Sequence, residues 1–221
     1  MSKVKNSGQV IISATCFADA SSAIELATFF AKKLKLEIKA YFIEDESALL
    51  AASLPFARAI SVTGGSSQVT YTAMRDAFLR DAKTYEIALS NAARTAALVW
   101  SFEHMKGHPE TLLVDAKAKG DLILFGFQRL QKQKGAIGVI QENELPNSKL
   151  MKLGASLSRT LGLPLKTVTV PVGNCTQEVF KFLQNNSLTA IILSHKTALS
   201  LGISAVLEAG RCPVIVYDAT A

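Results

Sequence analysis

A chain of 221 residues with 49% hydrophobic content has enough apolar side chain for one large α/β domain or two small ones. Charged residues make up 19% and the mean hydropathy is +0.25, which excludes a largely disordered protein. No uninterrupted apolar run approaches membrane-spanning length, and Lys3 and Lys5 are not followed by a signal-peptide core. A cytoplasmic, unprocessed protein with no membrane association is expected.

The net charge of +6 and the pI near 9.2 raise the question of nucleic acid. The basic residues are scattered, and the local cluster Arg129, Lys132 and Lys134 has no aromatic side chain between its members. A solvated connecting loop is expected there, not a nucleic-acid interface. Three cysteines, Cys16, Cys175 and Cys212, lie far apart. An odd, sparse set suits a reducing compartment.

Residues 1–8 form a short polar arm. Val10–Thr15 is a continuous apolar run, as in a strand covered on both faces. Ser22 and Glu25 have capping-box spacing, so a helix is expected from Ser22 to about Lys35. Ala23, Leu26, Ala27, Phe30 and Leu34 make its apolar stripe. A second strand follows at Glu37–Ile43. Two apolar strands joined by one helix imply parallel pairing with a right-handed crossover.

Residues 45–99 read as a long helical insertion. Ala48–Leu54 is a short helix that Pro55 bends or ends. Thr63-Gly64-Gly65-Ser66-Ser67 is a turn. It follows no strand and lacks a Walker lysine, which argues against a phosphate cradle. From Thr72 to Val99, Met74, Phe78, Ala82, Tyr85, Leu89, Ala92 and Ala96 recur at helical spacing. Such a helix packs on the sheet, and its surplus length could serve a homodimer contact.

Trp100–His104 alternates as a third strand, Thr111–Lys119 is a helix ended by Gly120, and Asp121–Phe127 is a buried strand. Gln128–Gly135 is a polar linker. Beyond it come a strand at Ala136–Ile140, a helix from Ser148 to Leu161 and a strand at Leu165–Val170. A helix at Gln177–Leu183, a strand at Thr189–Leu193, a helix at Ser200–Ala209 and a strand at Pro213–Tyr217 complete the series. The halves echo one another. Leu34, Leu36, Ile38, Lys39 and Ile43 align with Leu161, Leu163, Leu165, Lys166 and Val170. Two related α/β units are therefore expected, at residues 1–134 and 135–221, the second without the insertion. The pattern leaves open whether Ala136–Ile140 belongs with the first set of strands or the second.

The strand end Tyr41-Phe42-Ile43-Glu44-Asp45, the run from Ala116 to Gly126 and the terminal strand Arg211-Cys212-Pro213-Val214-Ile215-Val216 together resemble the universal stress protein family. Leu54-Pro55-Phe56-Ala57-Arg58 and Trp100-Ser101-Phe102 are similar to a tandem bacterial branch of it. The resemblance implies two Rossmann-like units of adenine nucleotide alpha hydrolase type, parallel sheets flanked by helices, and a role in stress response.

Nucleotide-binding members carry an aspartate just past the first strand and a glycine motif after the fourth. Here Ala14-Thr15 is followed by Cys16, and a thiol supplies no carboxylate acceptor. After Gly126 the chain reads Phe127-Gln128-Arg129-Leu130, without the glycine spacing whose N–H groups would face phosphates. After Leu193 it reads Ser194-His195-Lys196-Thr197 and then Gly202-Ile203-Ser204. Both halves look degraded as ATP sites.

Three functions follow as expectations. The first is a non-catalytic protein that binds a small ligand or a protein partner. The second is an ATP- or AMP-binding member with an altered site at the strand ends, where Thr15, Cys16, Gly126, Gln128, Ser194 and His195 are the candidate ligand-binding residues. The third is a redox sensor at Cys16, whose place near a helix N-terminus would lower its pKa. His104 and His108 are spaced i,i+4 beside Glu103 and Glu110, but straddle a strand end and a turn, so no metal site is expected. No Ser-His-Asp order or nucleophile elbow is visible, and no catalytic residue is assigned.

Overall fold

The computed structural model describes residues 8–61, 64–116, 122–127, 135–142, 148–170 and 176–217. All of the expected linker Gln128–Gly135 except Gly135 lies outside them, as do Cys175 and Gly120.

The elements in chain order are β1 (Gln9–Ala14), α1 (Phe17–Leu34), β2 (Glu37–Asp45), α2 (Glu46–Ala52), β3 (Arg58–Ile60), β4 (Ser66–Gln68), α3 (Tyr71–Ala96), β5 (Trp100–Gly107), α4 (Pro109–Ala116) and β6 (Leu122–Phe125). They continue with β7 (Ala136–Glu142), α5 (Ser148–Leu161), β8 (Leu165–Val170), α6 (Thr176–Asn185), β9 (Leu188–Ser194), α7 (His195–Leu201), α8 (Ile203–Gly210) and β10 (Val214–Tyr217). Eight strands form one sheet in the order β5-β2-β1-β6-β10-β9-β7-β8. β1 lies parallel between β2 and β6, and β7 lies parallel between β8 and β9. The segment left open by the sequence thus belongs with the second set of strands. β10 runs parallel to β9 but antiparallel to β6, and so joins the two sets.

Helices cover both faces, the arrangement that a mostly parallel sheet requires. Alternation along β1 sorts the core. Val10, Ile12 and Ala14 pack with residues of α1, α3 and α5. Ile11 packs on the other side with Ile123, Phe125 and residues of α4, α6, α7 and α8. On α3, Ala82, Tyr85, Leu89 and Ala93 are buried, which accounts for the long periodic run as packing against the sheet and α1.

The echo between the halves extends to the helix ends. Lys35 and Gly162 both take left-handed backbone, at φ 57° and 63°. The N–H of Leu36 then reaches back to the carbonyl of Ala31, and that of Leu163 to Ser158. Each is the wide bond of a Schellman closure, turning the chain directly into β2 or β8.

Several boundaries differ from expectation. α1 begins at Phe17, not at Ser22, because Asp81 Oδ2 on α3 accepts the N–H of Phe17 at 3.0 Å. A carboxylate from a distant helix therefore takes the place of the local capping box. The 45–99 insertion contains an exposed hairpin, β3–β4, between its helices. The single last helix is two, broken at Gly202 with φ 75°. β5 continues to Gly107, which puts His104 within a strand opposite Phe42.

In that position His104 Nε2 lies 2.9 Å from Glu44 Oε1. Glu44 is only 3% exposed, and its Oε2 has no partner among the described residues. A buried carboxylate with one paired oxygen depends strongly on that pair. His104→Ala is expected to cost about 2 kcal/mol or more in urea unfolding. That is below the value for a fully buried pair, because the imidazole side is 29% exposed. Glu44→Gln, which removes the charge itself, should cost less. Equal losses would mean that the His104–Glu44 contact contributes nothing beyond packing.

Candidate functional site

Chain direction puts the carboxyl ends of β1 and β6 side by side, with Ser13 opposite Phe125. From β1 the chain passes through Thr15 and Cys16 into α1, and from β6 through Gly126 and Phe127. The N–H of Gly126 bonds to the carbonyl of Ser13 at 3.2 Å. Ser22 Oγ donates to the carbonyl of Asp19 at 2.8 Å and lies 3.2 Å from that of Phe127. It also lies 3.4 Å from the N–H of Phe127. The first turns of α1 are therefore fastened to the end of β6. A Cβ on Gly126 would come within 2.2 Å of the carbonyl oxygen of Asp19, so only glycine fits the approach.

Above this junction is a cleft of about 280 Å³. Ser13, Thr15, Phe125 and Gly126 make its strand-end side, and Leu207 of α8 adds an apolar wall. Asp19, Asp45, Glu110 and Glu208 also line it, together with His108. No lysine or arginine is among the described residues lining it. Two of the carboxylates have structural duties: Asp45 Oδ1 accepts the N–H of Ser47 at 2.8 Å, and Glu110 Oε1 accepts from Ser204 Oγ at 3.0 Å, tying α4 to α8. Ser13 Oγ is different. The residue is 2% exposed and its hydroxyl has no partner among the described residues. Buried hydroxyls are nearly always hydrogen-bonded, and this one is shielded from solvent just behind the cleft wall. Among the described residues no three His, Cys, Asp or Glu side chains converge as metal ligands, so the acidic lining is not a preformed metal cage.

Of the sequence candidates, Thr15 and Gly126 line this cleft. Cys16 adjoins it as the residue before α1 and is partly buried. Gln128 lies outside the described residues. Ser194 and His195 are at the opposite edge of the sheet: Ser194 pairs with Tyr217, and Tyr217 with Leu122 at the start of β6. There Ser194 Oγ caps α7 by accepting the N–H of Thr197 at 3.1 Å. His195 is buried, with Nε2 2.5 Å from the carbonyl of Leu113. Both side chains have local structural work. His104 and His108 also separate, the first to Glu44 and the second to the cleft. Sequence reasoning missed Ser13, Asp45, Glu110 and Glu208 as a group. The available signal was Ser13, a lone hydroxyl within an otherwise apolar strand.

The thiol of Cys16 also departs from expectation. Burial pushes its pKa up from 9.0 to about 11, with the nearby Asp19 charge a smaller contribution in the same direction. The N–H groups of Asp19 and Ala18 at the helix N-terminus do pull it down, but burial disfavours the thiolate more strongly. Because the folded value exceeds the unfolded one, the neutral thiol favours the fold below about pH 9, and this contribution is lost as pH rises through about 11. Alkylation of Cys16 by iodoacetamide is accordingly expected to be slow at pH 7–8 and to climb toward pH 11. A rate that levels off below pH 8 would contradict the buried-thiol account. Separately, Gly126→Ala is expected to cost about 2 kcal/mol or more in urea unfolding. A change below about 0.5 kcal/mol would show that the first turn of α1 yields easily.

No protein-family model matches the chain, and no curated protein matches it. Among solved structures it is similar to a universal stress protein from Archaeoglobus fulgidus DSM 4304, at TM-score 0.38 and 10% sequence identity, over 96% of this chain and 96% of that chain. A likeness that distant carries no argument about family or function.

Proposed function

We propose that this chain is a universal-stress-like protein of tandem build that binds a small, positively charged ligand in the cleft at the ends of β1 and β6, without catalysing a reaction. The observation that carries the reading is the lining of the cleft by Asp19, Asp45, Glu110 and Glu208, with no lysine or arginine among the described residues beside them. An amine or guanidinium offers N–H donors to the carboxylates, and its charge complements theirs. The tandem reading draws on the sequence echo, the matched strand order about β1 and β7, and the matched Schellman closures.

The lining argues against ATP or AMP in this cleft. Phosphates would meet Asp19, Asp45, Glu110 and Glu208 with no described cation among the lining residues. The first turn of α1, where a phosphate would be received, already has Asp81 on the N–H of Phe17. A redox role for Cys16 is disfavoured by its raised pKa.

Titration of isotope-labelled protein with agmatine, followed by amide NMR shifts, tests the proposal. Saturable shifts are expected at Ser13, Thr15 and Gly126, and Glu208→Gln should weaken binding by roughly tenfold. ATP should leave those three amides in place. Saturable movement of the same amides by ATP would instead establish the altered nucleotide site. No response to agmatine at these amides would overturn the cationic ligand.

A further inference from the structure

A second concavity lies on the α1/α5 face, away from the acidic cleft. It has a volume of about 500 Å³, within the ordinary range for small-molecule sites. On α5, Lys149, Lys152, Ser156 and Arg159 follow one another at spacings of three and four residues, so they share one stripe of the helix. The adjoining stripe, Leu150, Leu153 and Leu157, is buried against the sheet, which leaves Lys149, Lys152 and Arg159 exposed. Lys33, in the last turn of α1, faces the stripe and contacts Ser156 Oγ through Nζ. Arg159 Nε donates to the carbonyl of Ala155 at 3.3 Å, holding its guanidinium along the helix. Leu34, Leu153 and Tyr217 give the groove an apolar floor. No carboxylate is among the described residues lining it.

Four cations converging on one concavity repel one another and raise the local concentration of anions. Lysine and arginine together offer point charges and a planar fork, both suited to phosphoryl oxygens. The apolar floor suits a ring or hydrocarbon body on the same molecule. We infer that the groove between α1 and α5 binds a small phosphorylated molecule with an apolar or aromatic body, its phosphoryl groups held by Lys33, Lys152 and Arg159. This site does not depend on the reading of the acidic cleft. It lies among different residues and selects the opposite charge.

ATP, without added metal, is the probe. In an amide NMR titration at low salt, saturable shifts are expected at Lys33, Lys152, Ser156 and Arg159, with Ser13 and Gly126 unmoved. Lys152→Glu and Arg159→Glu replace exposed residues and should leave the thermal midpoint nearly unchanged. Each should weaken ATP binding at least tenfold. Inorganic tripolyphosphate, which lacks the ring, should bind more weakly than ATP. Absence of saturation, or full retention of binding in both folded variants, would overturn the inference. Binding of a ten-nucleotide oligo-dT that displaces ATP at far lower concentration would overturn the small-molecule occupant in favour of single-stranded nucleic acid.

Discussion

β10 runs against β6, with Val214 opposite Phe125 and Tyr217 opposite Leu122. This antiparallel pairing is the seam on which the rest of the architecture depends. Parallel strands within a βα unit send their carboxyl ends to one edge, where α/β proteins place ligands. A second parallel set added in the same direction would put all those ends together. Because the seam reverses direction, the ends of β1 and β6 open on one edge of the sheet, and the end of β9 on the other. Ser194 and His195 therefore cannot meet a ligand held at Thr15 and Gly126. The seam also completes a continuous core on each face and spares both sets an exposed inner edge.

Around the β1–β6 edge, tight packing and open space serve different purposes. Gly126, Asp19 and Ser22 bring α1 as close to β6 as backbone allows. Asp81 reaches from α3 to finish the start of α1. These contacts use donors that an anion-binding loop would leave free. What remains open is the side toward α4 and α8, where the carboxylates gather. The positive charge of the chain is not evenly spread: one concavity is acidic and another basic, although the net charge is +6. Net charge alone would have suggested only the second.

Much of the fold was legible because it rests on local periodicity. The limits of α5 and β8 agree with the sequence pattern, and the apolar runs of β1, β6 and β9 follow from burial on both faces. Two of the departures have nonlocal causes. The start of α1 depends on a carboxylate far along the chain, and no window around Ser22 contains Asp81. The direction of β10 relative to β6 is a sheet-level choice that the apolar run Val214–Val216 does not encode. The site was partly legible for the same reason. Thr15 and Gly126 follow from strand ends, whereas Glu110 and Glu208 reach the cleft through helices brought together only by folding.

Ser13 carries a further implication for stability. A hydroxyl withdrawn from water disfavours the native state by about 1–3 kcal/mol unless it is paired, and Ser13 Oγ has no partner among the described residues. Alanine there would fill nearly the same space and remove any such penalty, so an unsatisfied hydroxyl would leave the fold tolerant of the plainer residue. The relative stability of serine and alanine at this place therefore reports whether the hydroxyl is satisfied in the native protein.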